Sequence, residues 1–438
     1  MENIVISKDS LSGVRVIRPE NATRAETACA ELLAACIEER AGFPVAVGTP
    51  ELWGDINLVV GNIGTPRSMN LCLPLYHNRY GIFVDRTAAG WDIYLAGQEE
   101  VAVWRAWYLF RTQCIRGDGC LSIPQELTGV QEPLFVRDPY ILRVGDQYYT
   151  YLNYLNRYWV AYRSEDLLHW TDFTVVMDPA EQPKEFDAET DLWAPEVYEY
   201  RGKYYMFATY KRRGVERNYR GCCILCADEP MGRFRLITNG LIVPQNGMIA
   251  DGTPVPDGSD SWSCIDATFY VDENDLPWIV FSHEWVSTPH GGFFCAARLK
   301  EDLTDLLDGN VYTLFNSYDG YRSDHEITDG CYIWRTADGQ LLMLWSNDTH
   351  KEHCVGYCVR VARSKSGNIL GPWTHDEGYL YDQTFDDLYQ MFDGGHGCIV
   401  KGPDNGLMLC IHSPATHHES IHLVPIREEN GTLRIDRR

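Results

Sequence analysis

The sequence predicts a mainly β protein, with a five-bladed β-propeller over residues 126–438 preceded by a small two-layer α/β domain over residues 1–125. Two observations predict this architecture. Residues up to about 125 alternate short strands with helices, whereas the rest follows a strand, turn, strand pattern. The second part also repeats one pattern five times, with a period that suits a four-stranded propeller blade. The 438 residues, 45% of them hydrophobic, suffice for two buried cores.

The front domain is predicted from two amphipathic segments and three apolar runs. Apolar residues recur at helical spacing over 24–40 and again over 99–115. The runs 56–61, 81–85 and 91–95 predict strands between these helices. This domain shows no catalytic constellation, so its expected role is structural: supporting the propeller, covering one rim, or making a dimer contact in a homo-oligomer.

Each of the five repeats opens with a polar residue beside a turn former. An apolar-alternating strand, a Gly/Asp/Asn turn and an aromatic-rich strand then follow, and the opening residues lie 58 to 70 positions apart. In a propeller the innermost strand of every blade lines the central channel, so we expect the opening residues to converge there. These residues are Asp138, Glu196, Asp266, Asp329 and His396.

A convergence of four carboxyl groups and one imidazole favours acid–base chemistry. Crowded carboxylates repel each other and lose solvation, so some of their pKa values should lie above the ordinary range. Hydrolysis of a glycosidic bond with inversion needs one carboxylic acid and one carboxylate, ~6.5 to 9.5 Å apart. The repeats therefore predict a glycosidase that acts on a small carbohydrate.

Each opening residue also has an ordinary structural interpretation. Asp138 precedes a proline, as turn residues often do, Glu196 fits a solvated strand end, and Asp329 precedes a glycine. His396 lies in a glycine-rich segment where only backbone would fit. Their shared place in the repeat favours the functional interpretation. We expect Trp193, Trp262 and Trp285 to form a wall on which sugar rings stack. The alternative is that these side chains pack in the core.

Charge and cysteine usage limit the partners. The sequence carries 62 acidic against 38 basic residues, a formal charge of -24, which would repel phosphate backbones and anionic membranes. We therefore expect neither nucleic acid nor membrane as a partner, and no required cofactor.

The first residues lack a secretory signal pattern, and 15 scattered cysteines suggest reduced thiols. The expected location is therefore cytoplasmic, with short imported oligomers as substrates.

Five motifs occur in order along the second part: Arg137-Asp138-Pro139-Tyr140, Trp193-Ala-Pro-Glu196, Ile265-Asp266-Ala, Thr328-Asp329-Gly-Cys and Gly394-Gly-His396-Gly. Together they resemble the motif set of glycoside hydrolase family 43, which holds arabinanases, arabinofuranosidases and β-xylosidases. The resemblance implies inverting cleavage of α-L-arabinofuranosidic or β-D-xylosidic bonds. It also implies Asp138 as general base, Asp266 as the acid that tunes the proton donor, Asp329 as that donor, and His396 facing calcium or another ion in the central channel.

The chain departs from this family at the proton donor, which is usually a glutamate in a Glu-Gly-Pro setting. Asp329 is one methylene shorter, so its proton would lie more than ~1 Å back, and misplacement of that size can cost ~100-fold in rate. Glu326 could supply a longer arm, but a shift of three residues along a strand places a side chain on the opposite face, about 10 Å away. Asp329 is therefore the predicted donor.

Two other functions stay open from the sequence. The missing glutamate is compatible with a carbohydrate-binding propeller that has lost catalysis. A related propeller architecture with an Arg-Asp-Pro motif, that of retaining fructosidase-like hydrolases, would instead make Asp138 the nucleophile.

Overall fold

A computed structural model describes residues 3–437 other than 8–9, 11–12, 42–43, 76–78, 117–119, 125, 129–135, 215–219, 244–262, 288–289, 352–353, 385–386, 388 and 416–418. The chain forms two compact units. Unit 1 comprises residues 1–134 with 384–392, and unit 2 comprises 135–383 with 393–438. Across the described residues, no helix is both long enough and apolar enough to cross a membrane.

Unit 1 is a six-stranded sheet with helices packed against it. Its helices are α1 (Arg24–Ala41), α2 (Pro66–Cys72) and α3 (Glu100–Gln113), and its strands are β1 (Ile4–Ile6), β2 (Val14–Ile17), β3 (Ala46–Gly48), β4 (Ile56–Val60), β5 (Tyr80–Arg86), β6 (Trp91–Gly97), β7 (Leu121–Ile123) and β8 (Glu126–Thr128). The sheet order is β3-β2-β4-β6-β5-β8, in which β2, β3, β4 and β6 run parallel. Strands β1 and β7 pair separately.

The core of unit 1 follows from the apolar stripes of its two long helices. Leu33 of α1 and Trp104 of α3 are fully buried against Leu58 of β4, as expected for helices covering a largely parallel sheet. Both predicted long helices are confirmed. The segment 384–392 belongs to this core, where the Phe392 ring lies 5.1 Å from the Trp104 ring.

Unit 2 consists of five four-stranded antiparallel sheets, which confirms the predicted five-bladed propeller. The blades are blade I with β9 (Tyr140–Val144), β10 (Gln147–Tyr154), β11 (Tyr158–Ser164) and β12 (Thr171–Met177); blade II with β13 (Ala188–Tyr200), β14 (Lys203–Arg212), β15 (Arg220–Ala227) and β16 (Arg235–Leu236); blade III with β17 (Cys264–Val271), β18 (Pro277–His283), β19 (Phe293–Leu299) and β20 (Leu306–Asn316); blade IV with β21 (Asp329–Arg335), β22 (Leu341–Lys351), β23 (Cys354–Ser364) and β24 (Trp373–His375); and blade V with β25 (Gly395–Lys401), β26 (Leu407–Ser413), β27 (Ser420–Glu429) and β28 (Thr432–Ile435).

The first strand of each blade lines the centre of unit 2. Strands β9, β13, β17, β21 and β25 each contact their neighbours in sequence, and β25 contacts β9 to close the ring. The backbone N–H of Ile141 in β9 donates to the Cys398 sulfur in β25 at 3.3 Å, which joins the first blade to the last. Large buried aromatic side chains fill the spaces between blades, as Phe207 and Phe269 do where their rings stack at 5.1 Å.

A repeated backbone irregularity marks the start of every inner strand. One residue there has a left-handed backbone, with φ of 51° at Asp138, 40° at Ala194, 58° at Asp266, 52° at Gly330 and 42° at His396. In blades II to V the strand register shifts at the same point, as in a β-bulge. A bulge redirects a side chain out of the sheet pattern, and strained non-glycine residues of this kind cluster at functional sites.

Candidate active site

The Asp138 side chain lies among basic groups from blades I and V. Its Oδ1 is 3.0 Å from His396 Nδ1 and 3.8 Å from Arg137 Nε. Its backbone N–H donates to His412 Nδ1 at 3.2 Å. Burial alone would raise the pKa of Asp138, but His396 and Arg137 together hold it below its ordinary value. Asp138 is therefore a carboxylate over the whole neutral range.

His396 is the positive centre of the site and is only 4% exposed. Its Nδ1 is 3.6 Å from Asp266 Oδ2 in addition to its contact with Asp138. Burial alone would lower the pKa of His396, but Asp138, Asp266 and Asp329 raise it to about 10. At neutral pH this ring is therefore an imidazolium that offsets part of the surrounding negative charge.

Asp266 and Asp329 form the other side of the cluster. Burial and the Asp138 charge raise the pKa of Asp266, against the opposing effect of His396. Burial and the neighbouring Asp266 charge raise the pKa of Asp329 well above its ordinary value. Asp329 Oδ2 accepts a hydrogen bond from the Tyr357 hydroxyl at 3.0 Å. The pKa values of Asp138 and Asp329 are thus shifted in opposite directions, which favours the carboxylate form of Asp138 and the protonated form of Asp329.

In blade IV the residue with the left-handed backbone is Gly330, which carries no side chain. A Cβ on Gly330 would lie 2.5 Å from His396 Cγ, so only glycine fits beside the imidazole ring. The carboxyl group is carried by Asp329 instead, one residue earlier. The N–H of Gly330 donates to Asp266 Oδ2 at 3.1 Å, which ties blades III and IV together at the site.

Glu196 does not occupy the position equivalent to Asp138, because the left-handed residue of blade II is Ala194, two residues earlier. It is 5% exposed, and its Oε2 accepts a hydrogen bond of 2.5 Å from Tyr198, whose hydroxyl also lies 2.5 Å from Thr268. Burial raises the pKa of Glu196 to about 7. Glu196 contacts Tyr198, and the charges of His396 and Asp266 also affect its pKa.

Two of the three predicted stacking tryptophans, Trp193 and Trp285, lie within the described residues. Trp193 in β13 is partly exposed, and one face of its ring is covered by the Arg220 guanidinium at 4.0 Å. Arg220 is itself held by Asp191 at 2.9 Å. Trp285 begins a short 3-10 turn after β18, and Trp262 lies outside the described residues. Sugar stacking on these three residues stays a prediction.

Two residues of the site were not predicted from the sequence, His412 and Tyr357. Their rings stack with centroids 5.5 Å apart; His412 accepts a hydrogen bond from the Asp138 backbone, and Tyr357 donates one to the Asp329 carboxyl group. Neither opens a repeat: His412 lies on a second strand and Tyr357 on a third. Only the three-dimensional packing of blades IV and V with blade I brings them to the centre.

The fit of an ion to His396 can be judged from its surroundings. Nδ1 is directed at Asp138 Oδ1, which makes it a hydrogen-bond donor rather than an open metal ligand. Over the described part of the chain, no group of three or more His, Cys, Asp or Glu residues is arranged to hold a metal ion. An ion facing His396 stays an expectation of the resemblance, and no step below is routed through one.

Paired carboxyl groups, one acting as an acid and the other as a base, are typical of glycosidases. The profile of the family described as Glycosyl hydrolases family 43 matches residues 131–432. The chain therefore belongs to glycosyl hydrolases family 43, as its motifs indicated.

Three similar proteins extend this comparison. An extracellular endo-α-(1→5)-L-arabinanase of Thermotoga petrophila is 28% identical over 272 residues, covering 57% of this chain and 53% of its own. Extracellular endo-α-(1→5)-L-arabinanase 2 of Bacillus subtilis is 26% identical over 270 residues, covering 57% and 52%. The crystal structure of an endo-arabinase from Bacteroides thetaiotaomicron superposes with a TM-score of 0.56 at 32% identity, covering 68% of this chain and 96% of that one. The chain spans about half the length of the curated relatives it matches.

The expected cytoplasmic location is wrong on this comparison, because both curated relatives are extracellular proteins. The cysteine argument fails for a physical reason. Burial raises the pKa of Cys72 to about 11 and that of Cys114 to about 12, so their reactive thiolate forms are scarce. Unreactive buried thiols can persist in any compartment and do not indicate one.

The charge on His396 predicts a pH-dependent stability. Because the folded-state pKa of about 10 exceeds the ordinary 6.5, the stabilisation by the imidazolium is complete below pH 6.5 and is lost as the pH rises through about 10. We expect the melting temperature of the parent to fall over this interval, and that of His396→Gln to fall less, as measured by scanning calorimetry.

His169→Gln is the control for this measurement, since the His169 side chain is 64% exposed on a surface turn. It should keep the parent's fall in melting temperature. Equal falls in the melting temperatures of the parent and of His396→Gln over this pH interval would contradict the assignment of the charge to His396.

Proposed function

We propose that this chain is an inverting glycoside hydrolase that cleaves α-L-arabinofuranosidic bonds in oligosaccharides. The observation that carries the proposal is the cluster of Asp138 and Asp266 about His396, beside which the pKa of Asp138 is lowered and that of Asp329 is raised. One group accepts a proton and the other donates one at the same pH, as hydrolysis of an acetal by acid and base together requires.

In the proposed reaction Asp138 removes a proton from a water molecule as the water oxygen bonds to the anomeric carbon. The bond from that carbon to the leaving oxygen breaks, and Asp329 transfers its proton to this oxygen. Asp266 supports the step as a neighbouring negative charge that keeps the proton on Asp329 until transfer. The products are two sugars with free hydroxyl groups, and the carboxyl groups regain their starting states by proton exchange with solvent.

The names of the similar proteins support arabinofuranose as the sugar. The relatives from Thermotoga petrophila and Bacillus subtilis are α-(1→5)-L-arabinanases, and the superposed structure at 32% identity is an endo-arabinase. β-D-Xylosides are the alternative substrate class, and a panel of nitrophenyl glycosides with arabino- and xylo-oligosaccharides separates the two.

A carbohydrate-binding propeller without catalysis is the second candidate, because the shortened acid Asp329 stands where the family usually has glutamate. Titration calorimetry with arabino-oligosaccharides that shows binding, combined with chromatography that shows no product, would select this candidate over the hydrolase.

Replacement of the base should stop the reaction. Asp138→Asn removes the proton acceptor and keeps the side-chain volume, so we expect kcat on arabino-oligosaccharides to fall by ~10²- to 10⁴-fold. Asp146→Asn, in the exposed turn between β9 and β10, is the matched control and should retain the parent's rate. Parent-like turnover of arabinofuranosides and xylosides by Asp138→Asn would show that the base is misassigned.

Replacement of the acid distinguishes Asp329 from Glu326. Glu326 is exposed, whereas Asp329 contacts Tyr357 within the cluster. We expect Asp329→Asn to lower kcat on arabino-oligosaccharides by ~10²-fold or more, and Glu326→Gln to leave it within about 3-fold. The reverse ranking in steady-state assays would assign the proton donor to Glu326.

A further inference from the structure

We propose that Tyr357 is a positioning residue that fixes the orientation of the Asp329 carboxyl group, and so allows an aspartate to serve as the acid. This inference rests on the proposed hydrolase function and deepens it. It starts from the hydrogen bond of 3.0 Å that the Tyr357 hydroxyl donates to Asp329 Oδ2.

The two oxygens of Asp329 have different environments. Oδ2 accepts the tyrosine hydrogen bond, while Oδ1 is buried and has no hydrogen-bond partner within the described part of the chain. The tyrosine hydroxyl therefore fixes the orientation of the Asp329 carboxyl group through Oδ2.

The tyrosine ring is packed against residues of blade V. A Cβ on Gly395 would lie 2.5 Å from Tyr357 Cδ1, so the glycine of the Gly394-Gly395-His396-Gly397 motif makes room for the ring. His412 stacks on the ring with an interplanar angle of 21°. The backbone N–H of Tyr357 donates to Asp393 Oδ2 at 3.2 Å. A ring fixed in this way presents its hydroxyl at one place.

The same aromatic pair also reaches the base. His412 accepts the hydrogen bond from the Asp138 backbone at 3.2 Å, and burial lowers the pKa of His412 to about 3, so its Nδ1 keeps the lone pair that this bond needs. One face-to-face contact between His412 and Tyr357 thus sets the relative positions of the backbone at the base and the carboxyl group at the acid.

This arrangement accounts for the shorter acid. An aspartate has one fewer side-chain torsion than a glutamate, so it reaches less far but loses less freedom when fixed. With Tyr357 holding Oδ2, the Asp329 carboxyl group keeps one orientation without the extra methylene. The tyrosine contacts the acid and not the reacting atoms, which makes it a positioning residue rather than a catalytic one.

The test compares leaving groups of different acidity in Tyr357→Phe, which keeps the ring and its stacking and removes only the hydroxyl. Departure of 2,4-dinitrophenolate needs no proton, whereas departure of phenolate does. We expect kcat/KM for phenyl α-L-arabinofuranoside to fall ~10- to 100-fold, and that for 2,4-dinitrophenyl α-L-arabinofuranoside to fall less than about 3-fold. If the parent prefers xylose, the corresponding β-D-xylosides are used.

Tyr151→Phe is the matched control, because Tyr151 is also a buried tyrosine whose hydroxyl makes one hydrogen bond, to the Pro230 carbonyl at 2.8 Å in another part of the propeller. It should leave both substrates at parent rates. An equal loss on both substrates in Tyr357→Phe, or no loss on either, overturns the positioning role while leaving the hydrolase proposal intact. A parent that turns over none of these glycosides overturns the hydrolase proposal itself, and the role of Tyr357 with it.

Discussion

The contact between His396 Nδ1 and Asp138 Oδ1, at 3.0 Å, is the interaction on which the chemistry of this propeller depends. Three aspartates meet at the centre with little solvent, and burial of unpaired charges would be costly. The imidazolium of His396 stabilises the ionised form of Asp138. The same crowding favours the protonated form of Asp329, because burial and the neighbouring Asp266 charge raise its pKa. One buried cation therefore divides similar side chains into a base and an acid.

The backbone makes this contact possible. Asp138, Asp266 and His396 share the left-handed position that begins each inner strand, and this conformation turns their side chains toward one another. Gly330 holds the same position in blade IV because the His396 ring leaves no room for a Cβ. The acid of that blade accordingly stands one residue earlier, at Asp329. Strain repeated around the ring is offset by the large aromatic cores between the blades.

Much of this could be predicted from the sequence, because a propeller repeats its signals. The five blades, the two long helices of unit 1 and the convergence of Asp138, Asp266, Asp329 and His396 all follow from periodic patterns. The contacts of Glu196 could not be predicted. The repeat in the sequence does not show that the left-handed residue of blade II is Ala194, two residues before Glu196. His412 and Tyr357 lie on outer strands, and only packing between blades brings them to the site. The cytoplasmic location was wrong because buried cysteines do not report on a compartment.

The stereochemistry of the first product tests the central claim most directly. If Asp138 activates water, proton NMR of early hydrolysis of an α-L-arabinofuranoside will show the β-anomer first, with the α-anomer growing in later by mutarotation. Initial release of the α-anomer would contradict the account, because it would make Asp138 a nucleophile that bonds to the sugar.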